Sequence, residues 1–308
     1  TVALCPTLVA ADIVRTLQDN RITIMIGVPR LYSLIMQSIQ AKIATSAVAT
    51  LLYRLAAQVN NRAFSRRLFG SVHAKFGGHL KYLVCGGAAL DPVVGQQYTT
   101  LGFEILEGYG MTEAAPMITF TRPGQVYIGS AGTAMSCTTI DIRDGEIVAA
   151  GKNIMQGYWK RPEETAEVLK EGWLYTGDLG HVDAQGRIFI TGRKKEIIVL
   201  ASGKNINPVL IEQKLEAEHA TIAEIGVFLH DDLLQAVIRP NLALVREKGI
   251  TNMEEYFRYQ VIDRYNQQAS PAKRLHQMTL VDCELPRTRL SKLKRFQLPN
   301  LVTSRQQR

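Results

Sequence analysis

Apolar residues recur at helical spacing over residues 8–19 and bunch into a short buried strand over 22–26. Pro29 then opens a helix to about residue 40, at a position where its missing N–H costs nothing. Helical spacing resumes over 45–69 and predicts one long helix. Residues 81–85 read as a strand ending in Gly86-Gly87, Asp91-Pro92 as a cap followed by a first-turn proline, and 103–106 as the next strand. Strands alternating with helices predict a largely parallel sheet.

The pattern changes near Pro116. Over 116–192 the strands are short and punctuated by turns: 138–143, 146–149 and 187–190, with Asp144-Gly145 as a hairpin signal and one helix at 162–170. A third pattern follows Arg193: helix 208–216, strands 222–229 and 234–238, helix 253–267 and strand 276–281. The fold class expected is α/β: a parallel-sheet unit with a small β-rich subdomain, followed by a compact α+β domain.

Composition narrows the function classes. The 308 residues suffice for two domains. No apolar run reaches the length of a membrane span. The chain opens at Thr1 without the basic and apolar regions of a signal peptide, so none is expected, and the missing initial Met fits a cut or processed chain. Cys5, Cys85, Cys137 and Cys283 form no CxxC pair and have no histidines at metal spacing, so neither a disulfide framework nor zinc is expected, and a reducing cytoplasm is. The net charge of +8 is uneven: between Asp19 and Asp91 nine basic residues occur and no acidic one. That field favours an anionic partner such as a phospholipid surface, with an ordinary solvated face as the alternative. Nucleic acid is disfavoured, because no aromatic-and-basic recognition motif accompanies the charge.

Three segments carry candidate chemistry, each expected beyond the end of a strand, where open α/β sheets place ligands. Cys85 to Leu90 offers Gly86, Gly87, Ala88 and Ala89, small enough for a flat ligand to approach the backbone; a tight strand–helix turn explains them equally well. In Glu107-Gly108-Tyr109-Gly110-Met111-Thr112-Glu113, the tyrosine can stack on a base, the threonine can donate to a phosphate and Glu113 can hold Mg²⁺. Taken alone, a core aromatic and a helix-end charge are the plainer readings. The third group comprises Tyr175-Thr176-Gly177-Asp178, Gly192-Arg193-Lys194-Lys195-Glu196 and Ser202-Gly203-Lys204-Asn205. Asp178 can accept ribose hydroxyls and Arg193 can meet ribose or phosphate oxygens; a solvated charge run is the alternative for 193–195. The tail from Pro286 to Arg295 reads by itself as a basic, mobile terminus.

As an ordered set these segments resemble the adenylate-forming superfamily of acyl-CoA synthetases, luciferases and peptide-synthetase adenylation domains, nearest to its long-chain fatty acid group. The resemblance implies that residues 1–194 are the C-terminal part of a large nucleotide- and acyl-binding domain and 195–308 a small mobile domain. It implies that Gly87 and Ala88 bind nucleotide, Gly108–Gly110 line adenine with Tyr109 stacked on it, Thr112 contacts phosphate, Glu113 binds Mg²⁺, Asp178 holds the ribose with Arg193 assisting, and Lys195 is the hinge. Ser202, Gly203 and Lys204 would meet the pantetheine arm of CoA. Lys292 would reach the α-phosphate and carboxylate, although Ser291 replaces the commoner glycine before it and leaves Lys294 as a competitor. Val199 stands where some relatives carry a lysine used with CoA. The implied substrates are ATP, a fatty acid and CoA, with an acyl carrier protein as alternative acceptor. A non-catalytic nucleotide- or membrane-binding fragment is the alternative of another class. The superfamily's Ser/Thr/Gly-rich phosphate loop does not occur in the 308 residues, so the expectation is the rear portion of a longer protein, inactive alone. The location implied is cytoplasmic, with peripheral contact at the inner face of a membrane.

Overall fold

Three apolar strands, β1 (Ile24–Gly27), β2 (Tyr82–Cys85) and β3 (Ile105–Gly110), lie parallel, with Gly27 beside Cys85 and Cys85 beside Glu107. The computed structural model describes residues 1–7, 9–288 and 293–306. Six helices precede, link or flank these strands: α1 (Ala10–Asp19), α2 (Pro29–Ala44), α3 (Ala47–Val59), α4 (Arg62–Leu68), α5 (Gly70–Lys75) and α6 (Pro92–Thr100). Pro29 and Pro92 both stand in the first turn of their helices, and Asp91 caps α6 by accepting from the Val93 amide at 2.7 Å. Tyr32, Met36, Leu83, Tyr98, Leu101 and Ile105 fill the core between sheet and helices. Its buried tyrosines are satisfied: Tyr98 donates to the Tyr32 carbonyl at 2.9 Å, and the Tyr32 hydroxyl lies 2.9 Å from the carbonyls of Met25 and Val84.

The long helix expected over 45–69 is instead α3 and α4, with α5 following. Two consecutive asparagines make the break. Asn60 takes left-handed geometry at φ 45° and closes α3, while the Asn61 side chain accepts from the Phe64 amide at 3.0 Å and opens α4. The sheet is also less parallel than expected. β4 (Met117–Phe120) pairs antiparallel with β3, and β5 (Thr133–Ala134) with β4.

A second sheet holds β6 (Thr138–Arg143), β7 (Glu146–Gly151), β9 (Trp173–Val182) and β10 (Ile188–Arg193) in the order β10-β9-β7-β6, with β8 (Leu169–Lys170) on β9. Asp144 and Gly145 have φ of 50° and 78°, as a two-residue hairpin turn requires. Helix α7 (Pro162–Val168) precedes β8. Tyr109, Ile118, Ile147, Leu174 and Ile188 form the core of this part.

The chain divides into two compact units, Thr1–Ile190 and Thr191–Arg308. The second contains the pair β11 (Ile198–Val199) and β12 (Asn205–Ile206), then α8 (Pro208–Glu218). Its three-stranded sheet is β13 (Ile222–His230) and β14 (Leu233–Pro240), antiparallel, with β15 (Gln277–Leu280) parallel to β14. Helix α9 (Leu242–Glu247) follows β14, and a helical run passes from α10 (Met253–Tyr256) through a π segment, Phe257–Asp263, into α11 (Arg264–Gln268). Leu215, Val227, Ile238, Phe257 and Val261 make the core. The end of the tail is not simply a basic terminus: α12 (Leu298–Gln306) buries Leu298 and Val302 against Phe228 and Val237.

Candidate functional site

The ends of β2 and β3 lie side by side, so the turn after one meets the body of the other. A Cβ on Gly86 would stand 3.5 Å from the Gly108 carbonyl, and Gly87 adopts φ 85°. The small residues of this turn therefore permit a close strand approach and a left-handed backbone. Gly87 and Ala88 are exposed beside it. Burial pushes the Cys85 thiol up to about 12, and burial likewise pushes the half-buried Glu107 carboxyl up to about 7, although the Leu90 amide favours its ionised form.

Gly108-Tyr109-Gly110 was expected in a loop beyond a strand ending at 106; it belongs to β3 itself. The chain returns through β4, and the glycines are what the tight return demands. A Cβ on Gly108 would meet the Met117 side chain at 2.5 Å, and one on Gly110 would lie 2.0 Å from the Pro116 carbonyl. Met111 donates its amide to that same carbonyl at 2.8 Å.

Tyr175-Thr176-Gly177-Asp178 likewise lies within a strand, β9, and not beyond one. Pairing with β7 is irregular there, Glu146 facing Leu179 while Val148 faces Tyr175. Gly177 takes φ 72° at this bulge, and the Glu146 carboxylate accepts its amide at 2.8 Å. Thr176 donates to the Ile147 carbonyl at 2.7 Å and accepts from the Asp178 amide at 3.1 Å. The bulge re-aims Asp178. Its carboxylate, 3% exposed, accepts the Tyr109 hydroxyl at 2.8 Å. Two motifs 69 residues apart in sequence thus meet in one buried, charge-assisted hydrogen bond.

After β3, Thr112–Ala114 makes a 3-10 turn, with Thr112 exposed and Glu113 half-buried. The Glu113 carboxylate accepts the Tyr158 hydroxyl at 2.8 Å, and its main-chain carbonyl accepts the Met155 amide at 2.8 Å. That contact raises the Tyr158 phenol above its ordinary range, the hydrogen bond to Glu113 being the main cause. The Asn153 amide donates to the carbonyls of Ala114 and Met117 at 3.1 and 2.9 Å and so pins both sides of the turn. Among the described residues no cluster of three or more His, Cys, Asp or Glu could hold a metal ion. A single carboxylate with one oxygen engaged by Tyr158 still fits Mg²⁺, which is commonly bound by one or two carboxylates and completed by substrate phosphates and water.

The remaining candidates lie in the second unit. Arg193 ends β10, and Lys195 sits in the 3-10 turn Lys194–Glu196. Asn207 caps α8 by accepting from Val209 and closes on Gly192, where a Cβ would meet its side chain at 2.4 Å. Ser202, Gly203 and Lys204 form the exposed turn between β11 and β12, with Gly203 at φ 76° and its amide donated to Leu200 at 2.8 Å. Val199 is 60% exposed on β11. Lys292 lies outside the described residues; beyond it, Arg295 pairs with the buried Glu212, whose carboxylate also accepts the Val227 amide at 2.6 Å.

Tyr158, Asn153, Glu146 and Glu107 were not anticipated as participants. Asn153 and Tyr158 follow strand β7 in a glycine-bearing loop, which was the one available signal.

Residues 1–159 match the family model described as AMP-binding enzyme. Over 222 residues, 66% of this chain and 37% of the relative, the sequence is 32% identical to the long-chain-fatty-acid–CoA ligase FadD15 of Mycobacterium bovis. It is 39% identical over 149 residues to a feruloyl-CoA synthase of an Amycolatopsis species, covering 44% of this chain and 30% of that one. Among solved structures, ATP-bound MatB from Rhodopseudomonas palustris superposes with a TM-score of 0.70 at 25% identity, covering 94% of this chain and 52% of that one. The Bacillus subtilis O-succinylbenzoate CoA synthetase in complex with ATP and magnesium gives a TM-score of 0.68 at 22% identity, covering 95% and 54%. The chain thus spans about half the length of these solved structures and less than two fifths of either curated relative.

Proposed function

Because this chain belongs to the AMP-binding enzyme family, we propose that it serves ATP-dependent activation of a carboxylic acid, with a long-chain fatty acid as the acid and CoA as the acceptor. In the first step the acid's carboxylate attacks the α-phosphorus of ATP, forming acyl-AMP and releasing pyrophosphate. In the second the CoA thiolate attacks the acyl carbonyl, forming the thioester and releasing AMP.

The observation that carries this reading is the Tyr109–Asp178 hydrogen bond at 2.8 Å. It holds a carboxylate at fixed aim beside the glycine-lined strand β3, where a ribose with adenine along Gly108–Gly110 can be taken. Thr112, exposed at the next turn, donates to a phosphate oxygen. Glu113, oriented by Tyr158, would hold Mg²⁺, whose charge neutralises the polyphosphate when bound. Arg193 assists at the ribose, Lys195 serves as the hinge between large and small domains, and Ser202–Lys204 meets the pantetheine arm. Lys292 neutralises charge in the first step alone. The residues position groups and balance charge, which is most of what transfer at phosphorus requires. A fatty acid partitions into bilayers, so a cytoplasmic ligase for it gains from reversible contact with a membrane surface. Delivery to an acyl carrier protein is the competing acceptor, and an aromatic acid the competing substrate, favoured by the 39% identity to the feruloyl-CoA synthase.

Calorimetric titration with AMP tests the carrying observation. AMP should bind, and Asp178→Asn should weaken it at least tenfold, the loss of a charge-assisted pair of hydrogen bonds being ~1.5–3 kcal/mol. AMP binding indifferent to Asp178 would refute the assignment. Palmitate and ferulate offered in competition to a full-length protein that contains this chain, with CoA or a carrier protein as acceptor, then decide substrate and acceptor.

A further inference from the structure

Asp178 stands in the irregular stretch of the β7–β9 ladder. Glu146 faces Leu179 and Val148 faces Tyr175, so β9 advances four residues where β7 advances two. The amides gained by β9 cannot all meet β7 carbonyls, and a buried amide without a partner is costly. Side chains supply the partners. Glu146, 4% exposed, reaches across from β7 and accepts the Gly177 amide at 2.8 Å. The buried Thr176 hydroxyl accepts the Asp178 amide at 3.1 Å and donates to the Ile147 carbonyl of β7 at 2.7 Å. Two consecutive amides, the second belonging to Asp178 itself, are thus fixed by side chains rather than by the ladder.

Crowding does not enforce this shape. A Cβ added at Gly177 would meet no atom within 4 Å, so neighbouring bulk does not impose its φ of 72°. Nor do the needs of the ladder. A β9 without the extra residues would pair with β7 through main-chain groups and leave no carboxylate to bury, and burying one is expensive. A buried carboxylate spent on a neutral amide marks a place where a strong, directional contact is needed. Glu146 is itself too deeply buried to meet a ligand, with its carboxylate turned to the Gly177 amide. What the contact secures is the residue that follows Gly177.

We propose that Glu146, together with Thr176, is a positioning residue for nucleotide binding. The two hold the bulge that points the Asp178 carboxylate at the ribose hydroxyls, and so set the preference of this chain for a ribonucleotide over one that lacks those hydroxyls. The inference rests on the reading of Asp178 as the ribose acceptor. Tyr109 fixes the carboxylate directly by its 2.8 Å hydrogen bond, while Glu146 and Thr176 fix the main chain from which that carboxylate springs. Aim set from both ends is what a preorganised hydrogen-bond acceptor requires.

The test is calorimetric titration of the whole chain with AMP and with 2′,3′-dideoxy-AMP, read as the ratio of the two affinities. An unfolded chain binds neither nucleotide, so the ratio is insensitive to a partial loss of stability. The parent should prefer AMP about tenfold or more, and Asp178→Ala should abolish the preference. Glu146→Ala and Thr176→Val should each cut it to about threefold or less, with the loss on the AMP side, whereas Glu146→Gln and Thr176→Ser, which keep the accepting oxygen, should stay within about twofold of the parent. A parent that binds neither nucleotide or both equally, or a preference that survives Asp178→Ala, would remove Asp178 from the ribose and this inference with it. A preference abolished by Asp178→Ala yet intact in Glu146→Ala and Thr176→Val would leave the ribose reading standing and overturn the positioning role. Equal losses for both nucleotides in Glu146→Ala would assign Glu146 to the fold alone, and Glu146→Gln as impaired as Glu146→Ala would show that the accepted amide is not what matters; either result overturns the proposal.

Discussion

Glu107 offers a direct test of the electrostatics at the β2–β3 edge. Its carboxyl is pushed from an ordinary 4.5 up to about 7, chiefly by burial. Below about pH 4.5 both the folded and the unfolded chain hold the proton, and the group adds no pH dependence. As pH rises, the unfolded chain releases it first, so unfolding is favoured and stability falls until the folded form ionises near 7. The interval between those values corresponds to a loss of about 3 kcal/mol at most. Glu107→Gln removes the ionisation and keeps an acceptor for the Leu90 amide. Both tryptophans, Trp159 and Trp173, belong to the first unit, so urea unfolding followed by their fluorescence reports on the unit that contains Glu107. The variant should match the parent near pH 4.5 and exceed it by about 1–3 kcal/mol at pH 8, with the difference opening between those limits. A difference independent of pH, or a variant less stable at pH 8, would show that burial does not hold this carboxyl protonated.

Tyr109→Phe removes the hydroxyl from the Asp178 carboxylate and should lower first-unit stability by ~1.5–3 kcal/mol in the same fluorescence assay; an unchanged midpoint would mean the bond carries no net weight. Glu212→Ala deprives the part-buried Arg295 of its carboxylate and the buried Val227 amide of its acceptor and should cost the second unit about 3–5 kcal/mol, read by hydrogen exchange at β13, whereas replacing both charged partners with aliphatic side chains should recover most of the loss. In a full-length protein that contains this chain, Lys292→Ala should lower acyl-adenylate formation about 10²-fold or more in pyrophosphate exchange while sparing thioester formation from supplied acyl-AMP; equal damage to both steps would remove it from the role, and the same defect in Lys294→Ala alone would move the role there.

Much of the fold was legible where local chemistry and tertiary packing agree. Pro29, Pro92 and Asp91 open helices as their positions predict, and Asp144-Gly145 turns the hairpin between β6 and β7. The long helix failed because helical periodicity continues through Asn60-Asn61, and only the backbone reveals that one asparagine closes a helix and the next opens another. The two central motifs were mistaken for loops for a shared reason. Gly108, Gly110 and Gly177 read as turn residues, yet in β3 and β9 they permit close strand contact and a bulge inside a ladder. Of the candidate site, Tyr109, Thr112, Glu113 and Asp178 were singled out as a motif set, but their geometry was not. The pairing of Tyr109 with Asp178 and the orientation of Glu113 by Tyr158 are long-range facts that no local pattern encodes. The commitment of Arg62 and Arg66 to Glu104 and Leu80 was equally hidden, because a run of basic residues does not disclose which of them already have partners.

Strand β3 pairs in parallel with β2 through Ile105–Glu107 and antiparallel with β4 through Gly108–Gly110. Its first residue is buried in the helix-flanked core and Tyr109 in the core of the second sheet. The strand that carries the proposed nucleotide motif is therefore the seam between two cores, and opening it disturbs the packing of both. Its amides should be among the slowest of the first unit to exchange with deuterium. A cavity cut at Ile105 should speed exchange at Gly108 and Tyr109 and loosen the aim of Asp178 through them, so that, on the proposed reading, AMP affinity becomes a gauge of packing in the helix-flanked core.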